Sequence, residues 1–197
     1  ASRRGLPPSP AWTGELNHIN EKLGVVAGAG DVNGDGFDDV VVGAPWSHNG
    51  DGSAYVFLGS PSGLSTAPAW SANGSINDGC QFGRSVAGAG DVNGDGYDEV
   101  IVGAPLFAEY VEFTGRAFLY LGSATGISTT ADWSAYAVNQ WGPEFGSSVA
   151  SAGDVDGDGF DDVLVGAPAY WDDHGEIGGR AFCYRGSAAG LATEPDW

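Results

Sequence analysis

One stretch of sequence returns twice in this chain, and that repetition restricts the possible folds more than any other feature. Residues Gly28 to Pro45 read GAGDVNGDGFDDVVVGAP. From Gly88 the chain reads GAGDVNGDGYDEVIVGAP, and from Ser151 it reads SAGDVDGDGFDDVLVGAP. A second landmark keeps the same phase: Ala54 to Ser60 (AYVFLGS) matches Ala117 to Ser123 (AFLYLGS) and Ala181 to Ser187 (AFCYRGS). A Gly-containing turn follows each copy, and then a tryptophan: Trp70, Trp133 and Trp197, with Trp12 at the same point ahead of the first unit.

Each unit reads as about four short strands: one before the acidic run, one after it, the aromatic stretch, and one at the tryptophan. Val40-Val41-Val42 and its counterparts supply the β-branched content, and no stretch sustains a helical period. Four strands per unit, repeated in series with their loops, fit the blades of an all-β propeller. A sandwich does not repeat its loop sequences. Tandem small β domains are the alternative to blades. The 34 glycines recur at set places beside valines and aromatics, so they read as turn residues rather than as flexible linker.

The acidic run has the spacing of a loop that wraps a hard cation. In the first unit Asp31, Asn33, Asp35 and Asp39 place side-chain oxygens at positions one, three, five and nine. Phe37 offers its carbonyl at position seven, and Gly36 permits a sharp turn at position six. The second unit supplies Asp91, Asn93, Asp95, the Tyr97 carbonyl and Glu99; the third supplies Asp154, Asp156, Asp158, the Phe160 carbonyl and Asp162. Calcium takes six to eight oxygens in irregular geometry, whereas magnesium demands a tighter octahedron, so three calcium sites are expected. The third loop carries four side-chain carboxylates against three in each of the others, and charge alone ranks it the tightest. Solvated Asp-Gly hairpin turns are the alternative reading, and the threefold recurrence of every ligand position argues against them. Two helical calcium motifs begin with the same residues but need an acid at position twelve. Here that position is Val42, Val102 or Val165, and a β-rich run follows, so the loop joins two strands.

Twenty-six acidic against seven basic residues give a formal charge of -19, which repels a phosphate backbone and excludes nucleic acid as an expected partner. Such a charge also opposes compaction, and bound cations would relieve it. No apolar run reaches the roughly 20 residues that span a bilayer, and Ala1-Ser2-Arg3-Arg4 precedes no signal-like apolar segment. Cys80 and Cys183 read as free, partly buried thiols. His18, His48 and His174 lack metal spacing and read as surface residues. No serine sits in a nucleophile elbow, and calcium accounts for the carboxylates, so no enzymatic activity is expected. Asn73-Gly74-Ser75 forms a glycosylation sequon that reads equally as a turn. Tyr110, Tyr136, Trp141, Tyr170 and Trp171 lie outside the shared landmarks, where they serve packing between blades or a binding surface.

Taken together, these landmarks resemble the FG-GAP repeat of integrin α-chains and related proteins. The naming pair stands as Phe82-Gly83 and Phe145-Gly146, with Leu23-Gly24 as a departure. The second landmark stands as Gly43-Ala44-Pro45, Gly103-Ala104-Pro105 and Gly166-Ala167-Pro168. The resemblance implies three four-stranded blades in which calcium rigidifies the hairpin between the first two strands. It also implies a module that binds protein, matrix or sugar through the opposite face or the rim. On this reading residues 1–11 are an N-terminal extension, and 12–69, 70–132 and 133–197 are the blade units.

Propellers usually close with four to eight blades, so three imply a longer parent chain or self-association, for example a homodimer of six blades. The Pro-x-Trp elements at Pro10-Ala11-Trp12 and Pro195-Asp196-Trp197 would let the tryptophan strand be completed between chains. Extracellular calcium saturates even weak loops, which points to a secreted or cell-surface module for protein or matrix adhesion. Carbohydrate binding on the same scaffold is the alternative function.

Overall fold

The computed structural model describes residues 12–13, 23–74, 79–109, 112–137, 142–172 and 174–196. Three antiparallel meanders follow one another along the chain. The first sheet is β1 (Val25–Gly30), β2 (Asp39–Ala44), β3 (Ser53–Phe57) and β4 (Trp70–Asn73), paired in chain order. The second is built from β5 (Ser85–Gly90), β6 (Glu99–Ala104), β9 (Arg116–Tyr120) and β10 (Trp133–Ala135) in the same order. Between β6 and β9 the chain inserts a two-stranded hairpin, β7 (Ala108–Glu109) and β8 (Glu112–Phe113), which the repeat did not announce.

The third sheet pairs β11 (Ser148–Gly153), β12 (Asp162–Ala167) and β13 (Arg180–Tyr184). Here the expectation of four strands per blade meets only three among the described residues. Trp197, which marks the expected fourth strand, lies outside them, as do His18, Tyr110, Trp141, Pro10, Ala11 and Ser75 of the sequon. The ladder nevertheless runs up to that point. Asp196 N–H donates to Cys183 O at 2.9 Å, as Ala69 does to Val56 O (2.8 Å) and Asp132 to Leu119 O (2.9 Å) just before β4 and β10.

The β2 and β6 strands are valine- and isoleucine-rich because they are covered on both faces. Val41, Val100, Ile101 and Val102 are fully buried. One apolar cluster joins the first sheet to the second and includes Val41, Val56, Trp70, Phe82, Val102 and Tyr120. Its counterpart joins the second to the third through Ile101, Leu119, Phe145, Val163, Phe182 and Tyr184. Ring geometry repeats too: Phe82 meets Phe118 at 5.5 Å and Tyr120 at 6.4 Å, and Phe145 meets Phe182 at 5.2 Å and Tyr184 at 6.4 Å. Tilted and edge-on aromatic pairs of this kind add to the burial of apolar area. Because Phe145 is fully buried between two sheets, Phe145→Ala is expected to cost about 3–5 kcal/mol in urea unfolding. A loss under about 1 kcal/mol would mean that the blades are not coupled through this ring.

The two named landmarks are bonded to each other. Gly24, Gly83 and Gly146 N–H donate to Gly43, Gly103 and Gly166 O at 3.1, 3.0 and 3.0 Å. Gly52 and Gly115 bridge in parallel to Phe82 and Phe145 of the following unit. The tryptophans act between sheets: from the first, Trp70 Nε1 donates to Ser128 O beyond β9 at 2.8 Å, and from the second, Trp133 Nε1 donates to Ala192 O beyond β13 at 2.9 Å. Trp12 Nε1 donates in the same way to Ser65 O of the first sheet's third-to-fourth-strand connection at 3.0 Å, with its ring edge-on to Phe57. Cys80 and Cys183 are free and buried, and His48 and His174 are exposed.

Candidate metal centre

Each acidic run is the hairpin between the first two strands of its sheet: Asp31–Asp38 joins β1 to β2, Asp91–Asp98 joins β5 to β6, and Asp154–Asp161 joins β11 to β12. Short polar side chains bond their own backbone two to five residues on, which coils each run into a compact turn. Asp31 takes the Asp35 N–H on Oδ1 (3.0 Å) and the Gly36 N–H on Oδ2 (2.7 Å). Asp91 and Asp154 bind the same pairs: Asp95 (3.1 Å) with Gly96 (2.9 Å), and Asp158 (3.0 Å) with Gly159 (2.9 Å). Position five turns its Oδ1 to the position-seven amide in every loop: Asp35 to Phe37, Asp95 to Tyr97 and Asp158 to Phe160.

The acid at position nine reaches back across the loop from inside the sheet. Asp39 Oδ2 accepts from Val32 N at 3.1 Å and Asp162 Oδ2 from Val155 N at 2.9 Å. Their other oxygens accept from Gly59 N (2.7 Å) and Gly186 N (2.9 Å), so one buried carboxylate ties the hairpin to the turn after the third strand. Glu99 departs from this pattern. Its Oε2 accepts from Val92 N at 2.7 Å, but Oε1 is buried with no hydrogen-bond partner among the described residues. Burial pushes the Glu99 carboxyl up to about 8. The Val92 amide pulls it back, Asp95 and Asp91 push it higher, and the Gly122 amide opposes them least. Asp39 is also raised by burial, against the pull of the Gly59 and Val32 amides.

Carboxylate oxygens of Asp91, Asp95 and Glu99 lie within 4.8 Å of one another, as do those of Asp154, Asp156 and Asp162. Two of the three loops therefore bring three acids together. In the first, Asp31, Asp35 and Asp39 are not so grouped, and in the third Asp158 stands outside the group. The donor set is all oxygen, closely spaced and anionic, and it includes one buried carboxylate oxygen with no hydrogen-bond partner among the described residues. Those properties fit a hard divalent cation.

Position eight, absent from the ligand spacing, turns out to act between units. Asp98 Oδ2 accepts from Asp31 N at 2.7 Å and Asp161 Oδ2 from Asp91 N at 3.1 Å, so the first and second loops are each held by the carboxylate of the next. The backbone adds Asp98 N to Asp31 O (3.2 Å) and Asp161 N to Asp91 O (3.1 Å). Gly30 has φ +75° and lies so close to this carboxylate that a Cβ there would be 2.0 Å from Asp98 Oδ2. Position seven reinforces the contact: the rings of Tyr97 and Phe160 cover Gly34 and Gly94 of the preceding loop. The recurrence of an acid at Asp38, Asp98 and Asp161 was the signal available in the sequence.

The other end of each sheet carries the exposed aromatics. Trp46 and Trp171 follow the Gly-Ala-Pro landmark, at the end of the second strand away from the acidic hairpin, and both are exposed. Tyr136 is exposed beneath the Arg116 guanidinium, whereas Tyr170 packs on Phe182 and under Arg180. No helix among the described residues is long and apolar enough to cross a membrane.

Residues 23–57, 82–120 and 145–174 match the FG-GAP repeat family. The chain is similar to integrin alpha-PS5 of Drosophila melanogaster, 35% identical over 159 residues that cover 76% of this chain and 15% of that protein. It is 34% identical to integrin alpha-6 of Homo sapiens over 141 residues, covering 70% of this chain and 12% of that protein. With integrin alpha pat-2 of Caenorhabditis briggsae it shares 30% identity over 195 residues, covering 92% of this chain and 15% of that protein. The chain thus spans 15% or less of the length of these relatives.

Proposed function

The chain belongs to the FG-GAP repeat family, and we propose that it is a calcium-stabilised, integrin-like propeller module that binds protein or matrix outside the cell and catalyses no reaction. The observation that carries this reading is the convergence of carboxylate oxygens in the second and third hairpins, with Glu99 Oε1 of the second buried and without a hydrogen-bond partner among the described residues. The ligands proposed are Asp31, Asn33, Asp35, Asp39 and the Phe37 carbonyl; Asp91, Asn93, Asp95, Glu99 and the Tyr97 carbonyl; and Asp154, Asp156, Asp158, Asp162 and the Phe160 carbonyl. Calcium would supply positive charge where the fold has gathered carboxylates, and so would stiffen the hairpins that hold one blade to the next.

A non-catalytic role is supported by the engagement of these carboxylates with backbone amides of their own loops. Adhesion is supported by the similarity to integrin α-chains, and a secreted or cell-surface location follows from it. Ring completion by self-association or by further blades belongs to the same proposal. Scanning calorimetry tests the calcium reading. Calcium at a hundredfold over its dissociation constant should stabilise by about 2.7 kcal/mol for each loop filled, with a smaller effect from magnesium. A melting temperature indifferent to chelator would end it. Carbohydrate binding is the second reading, favoured by the exposure of Trp46 and Trp171 at the end of the blades away from the hairpins. A glycan array in calcium, compared with immobilised matrix proteins, separates the two.

A further inference from the structure

The third acidic loop differs from the other two at position three, and its blade also departs from theirs at the end of the aromatic strand. Asn33 and Asn93 are replaced by Asp156, while Leu58 and Leu121, at the end of the aromatic strand, are replaced by Arg185. The two leucines pack against the apolar clusters between blades. Arg185 instead bonds Asp156: its Nη1 lies 2.9 Å from Asp156 Oδ2, and its Nη2 pairs with Asp196. The two departures are one interaction.

The atoms show what the pair replaces. In each loop the position-three Oδ1 accepts the position-five amide: Asn33 from Asp35 at 3.0 Å, Asn93 from Asp95 at 2.8 Å and Asp156 from Asp158 at 3.1 Å. In the first two loops the Nδ2 of the same amide donates to Asp35 or Asp95 Oδ2 at 3.1 Å, locking positions three and five together. Asp156 has no such donor, and an oxygen stands where the nitrogen was. Unpaired, that oxygen would repel the neighbouring Asp158. The guanidinium donates to Asp156 Oδ2 itself and so offsets the added charge, without restoring the bond to position five.

We propose that Arg185 sets the cation affinity of the third loop by making Asp156 the electrical equivalent of an asparagine. This deepens the calcium reading and rests on it. The position-three Oδ1 stays available in all three loops, while the fourth carboxylate of the third is silenced from its far side. The third loop then binds a divalent ion about as tightly as the second, although its carboxylate count ranks it first.

Calcium titration of the full chain, followed by NMR at the Gly36, Gly96 and Gly159 amides, reads the three loops separately. Arg185→Leu restores the residue of the other blades at an exposed position. It is expected to tighten the third loop about fivefold or more at low salt, an effect that shrinks in high salt, and to leave the Gly36 and Gly96 responses unchanged. Asp156→Asn is expected to change affinity less than about twofold in the wild-type background, and to weaken it about fivefold when added to Arg185→Leu. An Arg185→Leu affinity equal to or below wild type would overturn the proposal. So would an Asp156→Asn effect of the same size in both backgrounds. If none of the three glycine amides responds to calcium in the wild type, the calcium reading itself fails, which is a different result.

Discussion

Raising the pH of the calcium-free protein from the usual carboxylate range to about 8 is expected to lower its stability by a few kcal/mol, with Glu99 as the main cause. In the unfolded chain this carboxyl loses its proton near 4.5, whereas the folded protein keeps it until about 8. Across that window the folded state binds the extra proton, so stability falls as pH rises. The contribution is complete below 4.5 and gone above about 8. Asp39 and Asp98, both raised by burial, act in the same direction. Urea unfolding in chelator at a series of pH values measures the slope. Glu99→Gln, which retains an acceptor for the Val92 amide, should flatten its upper part, and saturating calcium should do so in the wild type, because a bound cation favours the ionised form. A calcium-free protein that grows more stable across this range would refute the assignment.

Gly103→Ala is expected to destabilise by about 3 kcal/mol or more, while the equivalent Gly166→Ala costs less than about 1 kcal/mol. A Cβ at Gly103 would stand 2.0 Å from Gly146 O and 2.3 Å from Ser85 Oγ. Neither can yield cheaply. The Gly146 backbone is tied by its own amide to Gly166 O, and Ser85 Oγ already donates to Gly146 O at 2.8 Å. At Gly166 the near atom is Ser148 Oγ, the end of an exposed side chain that is free to rotate. Melting temperatures of the two variants decide the matter, and equal losses would show that the Gly-Ala-Pro glycine matters only within its own sheet.

The strands were legible because their signals are local and written three times: valine runs, an aromatic stretch and glycine punctuation. The hairpins were legible for the same reason, since Asp31, Asn33 and Asp35 fold against their own backbone within a few residues. What acts between units was not. The bond from Asp98 to the Asp31 amide spans 67 residues, and a ligand template that counts odd positions passes over position eight. Arg185 lies 29 residues from Asp156, so a count of carboxylates within one loop cannot register the cation that offsets one of them. The longer side chain of Glu99 was visible as a difference, but its consequence, a buried oxygen without a hydrogen-bond partner among the described residues, depends on how the folded chain packs around it. The β7–β8 hairpin falls in a stretch that the repeat does not share.

The carboxylate of each unit reaching back to the preceding loop gives the protein the thermodynamics of a row rather than of a ball. Every sheet is stabilised by the one beside it through the same small set of bonds, so free energy is shared between nearest neighbours and disturbance fades with distance along the row. Damage to one hairpin is then felt first by the unit before it, whose backbone amide loses its acceptor, and only afterwards by the rest.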